Sequence, residues 1–171
     1  ILLGGPSRHY AWQPEKLIEE IDTILKRDED ISWTIANSRR TPEVFSHLVE
    51  TRLKRKIVHW SDVDNDWLEN ELAECGFAWV TPDSISMVYE ALTTQGRVGI
   101  FDMTPLGGGG KVSSSIDRLV KIGRLGRSSL GSLLQQLETF EPLQESHRCA
   151  QHIIDTWFKK SKSRYVDRTT A

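Results

Sequence analysis

Apolar and polar positions along the chain alternate between two periods. Ile1-Leu2-Leu3 is a short apolar run that ends in the turn Gly4-Gly5-Pro6, the pattern of a buried strand. Pro14 then opens a helix in which Leu17, Ile21, Ile24 and Leu25 recur at helical spacing through Lys26. Ser32–Ala36 is β-rich and ends in the polar cluster Asn37-Ser38-Arg39-Arg40-Thr41. Thr41-Pro42-Glu43 predicts a helix start with Thr as cap and Pro in first place, followed by Val44, Leu48 and Val49. Lys56–Trp60 reads as a third strand. Trp67, Leu68, Leu72 and Cys75 form the next helical stripe, stopped by Gly76. Phe77–Thr81 is a fourth strand, Ser86–Gln95 a helix stopped by Gly96, and Arg97–Phe101 a fifth strand.

A strand–helix unit repeated in this way predicts an α/β fold: a Rossmann-like parallel sheet of about five strands flanked by helices on both faces. Beyond Gly107–Gly110 the pattern is helical only, giving an all-helical C-terminal tail. Leu130, Leu133, Leu134 and Leu137 make one stripe, and Leu143, His147, Ala150, Ile154 and Trp157 another. In such a sheet, ligands bind at the carboxyl ends of the strands, near the point where strand order reverses. Three polar loops fall at that rim: Gly4–Ser7, Ser38–Thr41 and Asp83–Ser86.

Composition narrows the class. A chain of 171 residues, 38% hydrophobic and 27% charged, has the make-up of one folded domain rather than of a disordered segment. No apolar run approaches the ~20 residues of a membrane span, and no signal-peptide pattern opens the chain. Two cysteines, Cys75 and Cys149, make no disulfide framework, so the expected compartment is reducing and cytoplasmic. The opening Ile1–Gly5 lacks an initiator Met, and the chain is expected to be a piece of something longer. Residues 1–100 carry 11 Lys+Arg and 17 Asp+Glu, or −6, whereas 101–171 carry 11 and 7, or +4. That excess is too small for a dedicated nucleic-acid-binding domain. It leaves open a peripheral contact with an anionic membrane surface, although a solvated face explains it more simply.

The rim residues carry the candidate chemistry. Gly4-Gly5 would let backbone N–H groups approach a phosphate, but a tight turn explains the pair more simply. Ser84 and Ser86 stand at a helix start, where free N–H groups and the helix dipole attract phosphate; capping the helix is the alternative reading. Glu90, one turn later, is placed to accept both hydroxyls of a ribose, or else is a solvated helix residue. Of Arg39 and Arg40, one is expected to reach a diphosphate and the other to pair with a carboxylate. Gly107-Gly108-Gly109-Gly110-Lys111 is no P-loop, since Pro105 and Val112 stand where Gly and Ser or Thr are required; it reads as a flexible loop. No G-x-G-x-x-G occurs, and the five histidines show no metal spacing with either cysteine. His9, beside Gly4–Ser7, is the histidine placed to touch a ligand, and His147 reads as a helix-packing residue.

Three motifs occur in order: Gly4-Gly5-Pro6-Ser7-Arg8-His9-Tyr10-Ala11-Trp12, then Ser38-Arg39-Arg40-Thr41-Pro42, then Val80-Thr81-Pro82-Asp83-Ser84-Ile85-Ser86-Met87-Val88-Tyr89-Glu90-Ala91. Together they resemble the mitochondrial fission ELM-like family from Ile1 to about Phe101. The resemblance implies a glycosyltransferase-like protein of the GT-B type, with this chain as its C-terminal half. Residues 1–141 would be the Rossmann-like nucleotide-sugar-binding domain, and 142–171 a helix returning towards an N-terminal domain outside this sequence. It implies a nucleoside-diphosphate sugar as substrate, held by Gly5, Ser7, Ser38, Arg39, Asp83, Ser84, Ser86 and Glu90, with no metal and no further cofactor. The catalytic residues are unassigned, and this chain alone is expected to bind a nucleotide without turning it over. The same resemblance supports an alternative, a non-catalytic interaction or scaffold protein related to mitochondrial fission factors. A sugar-nucleotide epimerase is a third option, disfavoured by the absent G-x-G-x-x-G and Tyr-x-x-x-Lys patterns.

Overall fold

The computed structural model describes residues 1–107, 110–137 and 142–158. Helix α1, Pro14–Arg27, starts on its proline and ends on Lys26 and Arg27, which suit the negative pole of the helix. Then follow β1 (Ile35–Ala36), α2 (Glu43–Arg52), β2 (Ile57–Val58), α3 (Trp67–Glu74), β3 (Phe77–Val80), α4 (Ile85–Leu92) and β4 (Arg97–Ile100). Helix α5 (Lys111–Lys121) leads to β5 (Gly126–Arg127), a single 3-10 turn and the short α6 (Leu133–Gln136). The last element is α7 (Glu145–Ile153), which continues as a wider π-type turn over Ile154–Phe158.

All strand pairings are parallel: β1 with β2, and β3 with β4 and then β5. The opening segment joins the two sheets by bridging on both sides. Leu2 N–H donates to the Trp79 carbonyl at 2.8 Å, while Leu3 N–H donates to Ala36 at 2.9 Å. The spatial order is therefore β2, β1, residues 1–3, β3, β4, β5. Counted along the chain with the opening segment first, this is 3-2-1-4-5-6, the doubly wound order, and it reverses between residues 1–3 and β3.

Alternation along the strands divides the core. Leu3, Ile35, Ile57, Trp79 and Phe101 face α1 and α2, where Leu17, Ile21, Ile24, Phe45 and Val49 complete one cluster. Leu2, Ala36, Val80, Val98 and Ile100 face the opposite way, against Leu72 of α3, Val88 and Ala91 of α4 and Ile116 of α5.

Four expectations are corrected. The region after Gly110 is not helical only, because Gly126–Arg127 pairs with β4 as a sixth parallel segment. Thr41 does not cap α2; Pro42 occupies that position, and the Thr41 hydroxyl is engaged elsewhere. Helix α4 begins at Ile85, one residue before the expected start, and ends at Leu92. The two C-terminal stripes pack only in part: Leu137 is buried in the first cluster and Leu143 packs against the second, whereas Leu130, Ile154 and Trp157 are exposed and no residue of α7 is buried. The side chains of Leu133 and Leu134, and Gly108 and Gly109 of the glycine run, lie outside the described residues.

Candidate functional site

At the point of strand reversal, three loops are tied together by side chains. Thr81 Oγ1 accepts from Gly4 N–H at 2.7 Å, and Asp83 Oδ2 accepts from Gly5 N–H at 3.0 Å. Thr41 Oγ1 accepts from Ser38 N–H at 2.9 Å. It also lies 2.8 and 2.6 Å from the Leu3 and Gly4 carbonyl oxygens, to one of which its proton goes. The glycines are explained by this packing. A Cβ on Gly4 would sit 2.3 Å from Asp83 Oδ2, and one on Gly5 would sit 1.9 Å from the Arg40 carbonyl oxygen. Because its N–H is committed to Asp83, Gly5 shapes the rim without presenting a free donor.

Asp83 is the anchor of this junction. Its side chain is 0% exposed, and the same Oδ2 takes Arg40 Nη2 at 2.7 Å. Arg40 is thus the arginine that pairs with a carboxylate, while its guanidinium remains 43% exposed at the rim. Arg39 makes no ion pair among the described residues; its guanidinium lies over the Trp60 ring, 5.5 Å from the ring centre.

A cavity of about 400 Å³ opens beside this junction. Its lining combines the apolar Trp60, Trp67 and Met87 with the polar Ser38, Arg39, Arg40 and Ser84. Ser84 immediately precedes α4 and its hydroxyl makes no capping bond, so it leaves the first amides of that helix uncapped. A lining with cationic and hydroxyl-bearing groups beside aromatic ones suits an anion joined to a flat apolar group.

The structure brings Ser38, Arg39 and Ser84 to this one cavity and places the other expected residues elsewhere. Asp83 is beneath the loops and Gly5 is in their backbone. Ser7 Oγ accepts from His9 and Tyr10 N–H at 3.1 and 3.3 Å, closing its own turn. Ser86 is exposed and outside the lining. Glu90 lines a separate cavity of about 330 Å³ with Asn65, Glu69, Thr93 and Thr94. His9 contacts the Arg8 side chain, and its carbonyl accepts from Leu106 N–H at 2.8 Å. Trp60, Trp67 and Met87 were not singled out by sequence reasoning. The available signal was Trp60 itself, a large aromatic just past the carboxyl end of a strand.

A second polar cluster stands where β4 and β5 end. Asp102 accepts from Arg127 Nη1 at 2.8 Å and Ser129 N–H at 2.9 Å, and Arg127 also reaches Asp117 at 2.6 Å. Burial alone would push the Asp102 carboxyl up, but the bonds from Ser129 and Arg127 outweigh it and hold the group below its ordinary value. These groups satisfy one another.

No cluster of metal-ligating side chains occurs among the described residues, and no described helix is long and apolar enough to cross a membrane. Both cysteines are free, and burial pushes the Cys75 thiol up. Compared with known proteins, residues 1–157 match the family model described as mitochondrial fission ELM1. The comparisons with curated proteins and with solved structures gave no match.

Proposed function

The chain belongs to the mitochondrial fission ELM1 family, and on that premise we propose that it binds a nucleoside-diphosphate sugar as the donor half of a GT-B-type glycosyltransferase-like protein. The observation that carries this reading is the cavity at the strand reversal, with Arg39, Arg40, Ser84 and tryptophans in its lining. The diphosphate would lie against Arg40 and the start of α4, where a guanidinium and the helix dipole offset its charge. In a transfer reaction the same groups would stabilise the diphosphate as it leaves, and the bound geometry would align the sugar with an acceptor. The base that activates the acceptor is assigned to no residue of this chain, and Glu90 is given no ribose contact in this reading. Calorimetry against UDP-, GDP- and ADP-sugars tests it: heat of binding that is lost in Arg39→Ala supports the reading, and no binding of any sugar nucleotide refutes it.

A second reading, a non-catalytic interaction protein that keeps the fold as a scaffold, is favoured by the C-terminal helix. Its Ile153 and the following Phe158 are 51% and 65% exposed. That reading predicts that an Arg39/Ser86 double substitution leaves partner recruitment intact.

A further inference from the structure

We infer that the β1–β2 half of the cavity receives the nucleobase of a nucleoside diphosphate, stacked with the Arg39–Trp60 pair and recognised by its flat face rather than its hydrogen-bonding edge. This rests on the nucleotide reading above and adds to it which part of the ligand lies where, and which bases are accepted.

The cavity has two unlike ends. Arg40, anchored on Asp83, and Ser84 mark the end that suits phosphate. The apolar lining comes from the β1–β2 side, from Ala36 and Val58 of those strands together with Trp60 and Trp67. A planar heteroaromatic ring joined to a diphosphate matches that polarity, and about 400 Å³ falls within the usual range for small-ligand sites. Trp60 is 48% exposed, large for such a side chain, and its backbone N–H is anchored, donating to Asn37 Oδ1 at 2.9 Å. The Arg39 guanidinium already stacks on it, so ring and cation form a ready platform for a third flat group.

The edge-reading groups nearby are engaged. Asn37 Oδ1 holds the Trp60 amide, and Asn37 Nδ2 lies 3.1 Å from Ser46 Oγ and 3.0 Å from His59 Nδ1. The Ser38 hydroxyl lies 3.2 Å from Thr41 Oγ1 and accepts from Arg40 N–H at 3.3 Å. With those side chains turned to the protein, recognition falls to stacking, which every base satisfies.

The experiment is calorimetry of the full chain and its Trp60→Ala and Trp60→Phe variants with UDP, GDP, ADP and inorganic pyrophosphate. Trp60 is half exposed, so both variants retain the fold, as far-ultraviolet circular dichroism checks. Trp60→Ala should weaken all three nucleotides by about tenfold, in line with the loss of one stacked base, and leave pyrophosphate unchanged. Trp60→Phe should restore most of the affinity, and the three nucleotides should bind within about tenfold of one another. Nucleotides that bind wild type and Trp60→Ala alike, or one base favoured by more than about a hundredfold, would overturn this inference and leave the nucleotide reading standing. Failure of wild type to bind any of the four probes would sink both.

Discussion

Replacing Asp83 by alanine tests whether the strand-reversal junction is held by one buried carboxylate. The side chain is fully buried and serves two donors, Gly5 N–H at 3.0 Å and Arg40 Nη2 at 2.7 Å. Truncation strands the buried Gly5 N–H, which costs about 1–3 kcal/mol. The lost Arg40 bond adds only about 0.5–1 kcal/mol, because a guanidinium 43% exposed recovers water. The sum, about 1.5–4 kcal/mol, corresponds to a melting temperature lower by about 3–16 °C for a chain of this length. The partner substitution carries the sharper test. Arg40→Ala leaves a buried charge with Gly5 N–H as its remaining donor, and Asp83 Oδ1 has no partner among the described residues to begin with. Adding Asp83→Asn to that variant removes the stranded charge, so the double variant should be more stable than Arg40→Ala alone. Thermal melts of the four proteins at neutral pH measure this. If Asp83→Ala melts with the wild type, or Asp83→Asn worsens Arg40→Ala, the account of the junction is wrong.

Gly5→Ala should lower stability by about 1–3 kcal/mol or more in urea titration, since its Cβ would meet the Arg40 carbonyl oxygen at 1.9 Å. Asp102→Asn should destabilise the protein at neutral pH. Because the Asp102 carboxyl is held below its ordinary value of 3.8, its contribution is complete above that value and fades as pH falls through the lowered one. The gap between variant and wild type should therefore close on acidification below about pH 4. Ile153→Ser should change the melting free energy by no more than about 0.5 kcal/mol, because no residue of α7 is buried.

The strand–helix alternation was legible because each element carries its own period: Leu17, Ile21 and Ile24 declare a helix however the chain folds around them. Gly126–Arg127 was not, because two residues, one of them glycine, carry no alternation, and their strand character comes from lying beside Gly99 and Ile100. Thr41 shows the same limit at a single atom. Its hydroxyl has a local use as a cap, but tertiary structure offers it the Leu3 and Gly4 carbonyls. In the site, Ser38, Arg39 and Ser84 were found because loops after parallel strands gather at one rim. Trp60 was missed because its stacking with Arg39 spans a full helix of intervening sequence. Asp83 precedes α4 and Glu90 lies in its last turn, and only the packing shows that one points under the loops and the other towards a different cavity.

The opening three residues hold the middle of the sheet, and this has a kinetic meaning. Gly4 finds its Thr81 hydroxyl 77 positions further on, and Leu2 cannot bond to Trp79 before β3 exists. During synthesis this segment must wait, with one edge unmatched, until nearly half of this sequence has followed it. Closing so long a loop is entropically slow relative to forming any single strand–helix unit. The β1–β2 and β3–β5 halves can therefore form separately, and docking them across residues 1–3 is the step expected to limit folding. During that interval, other extended segments can pair with the waiting strand, and a holding chaperone would act there.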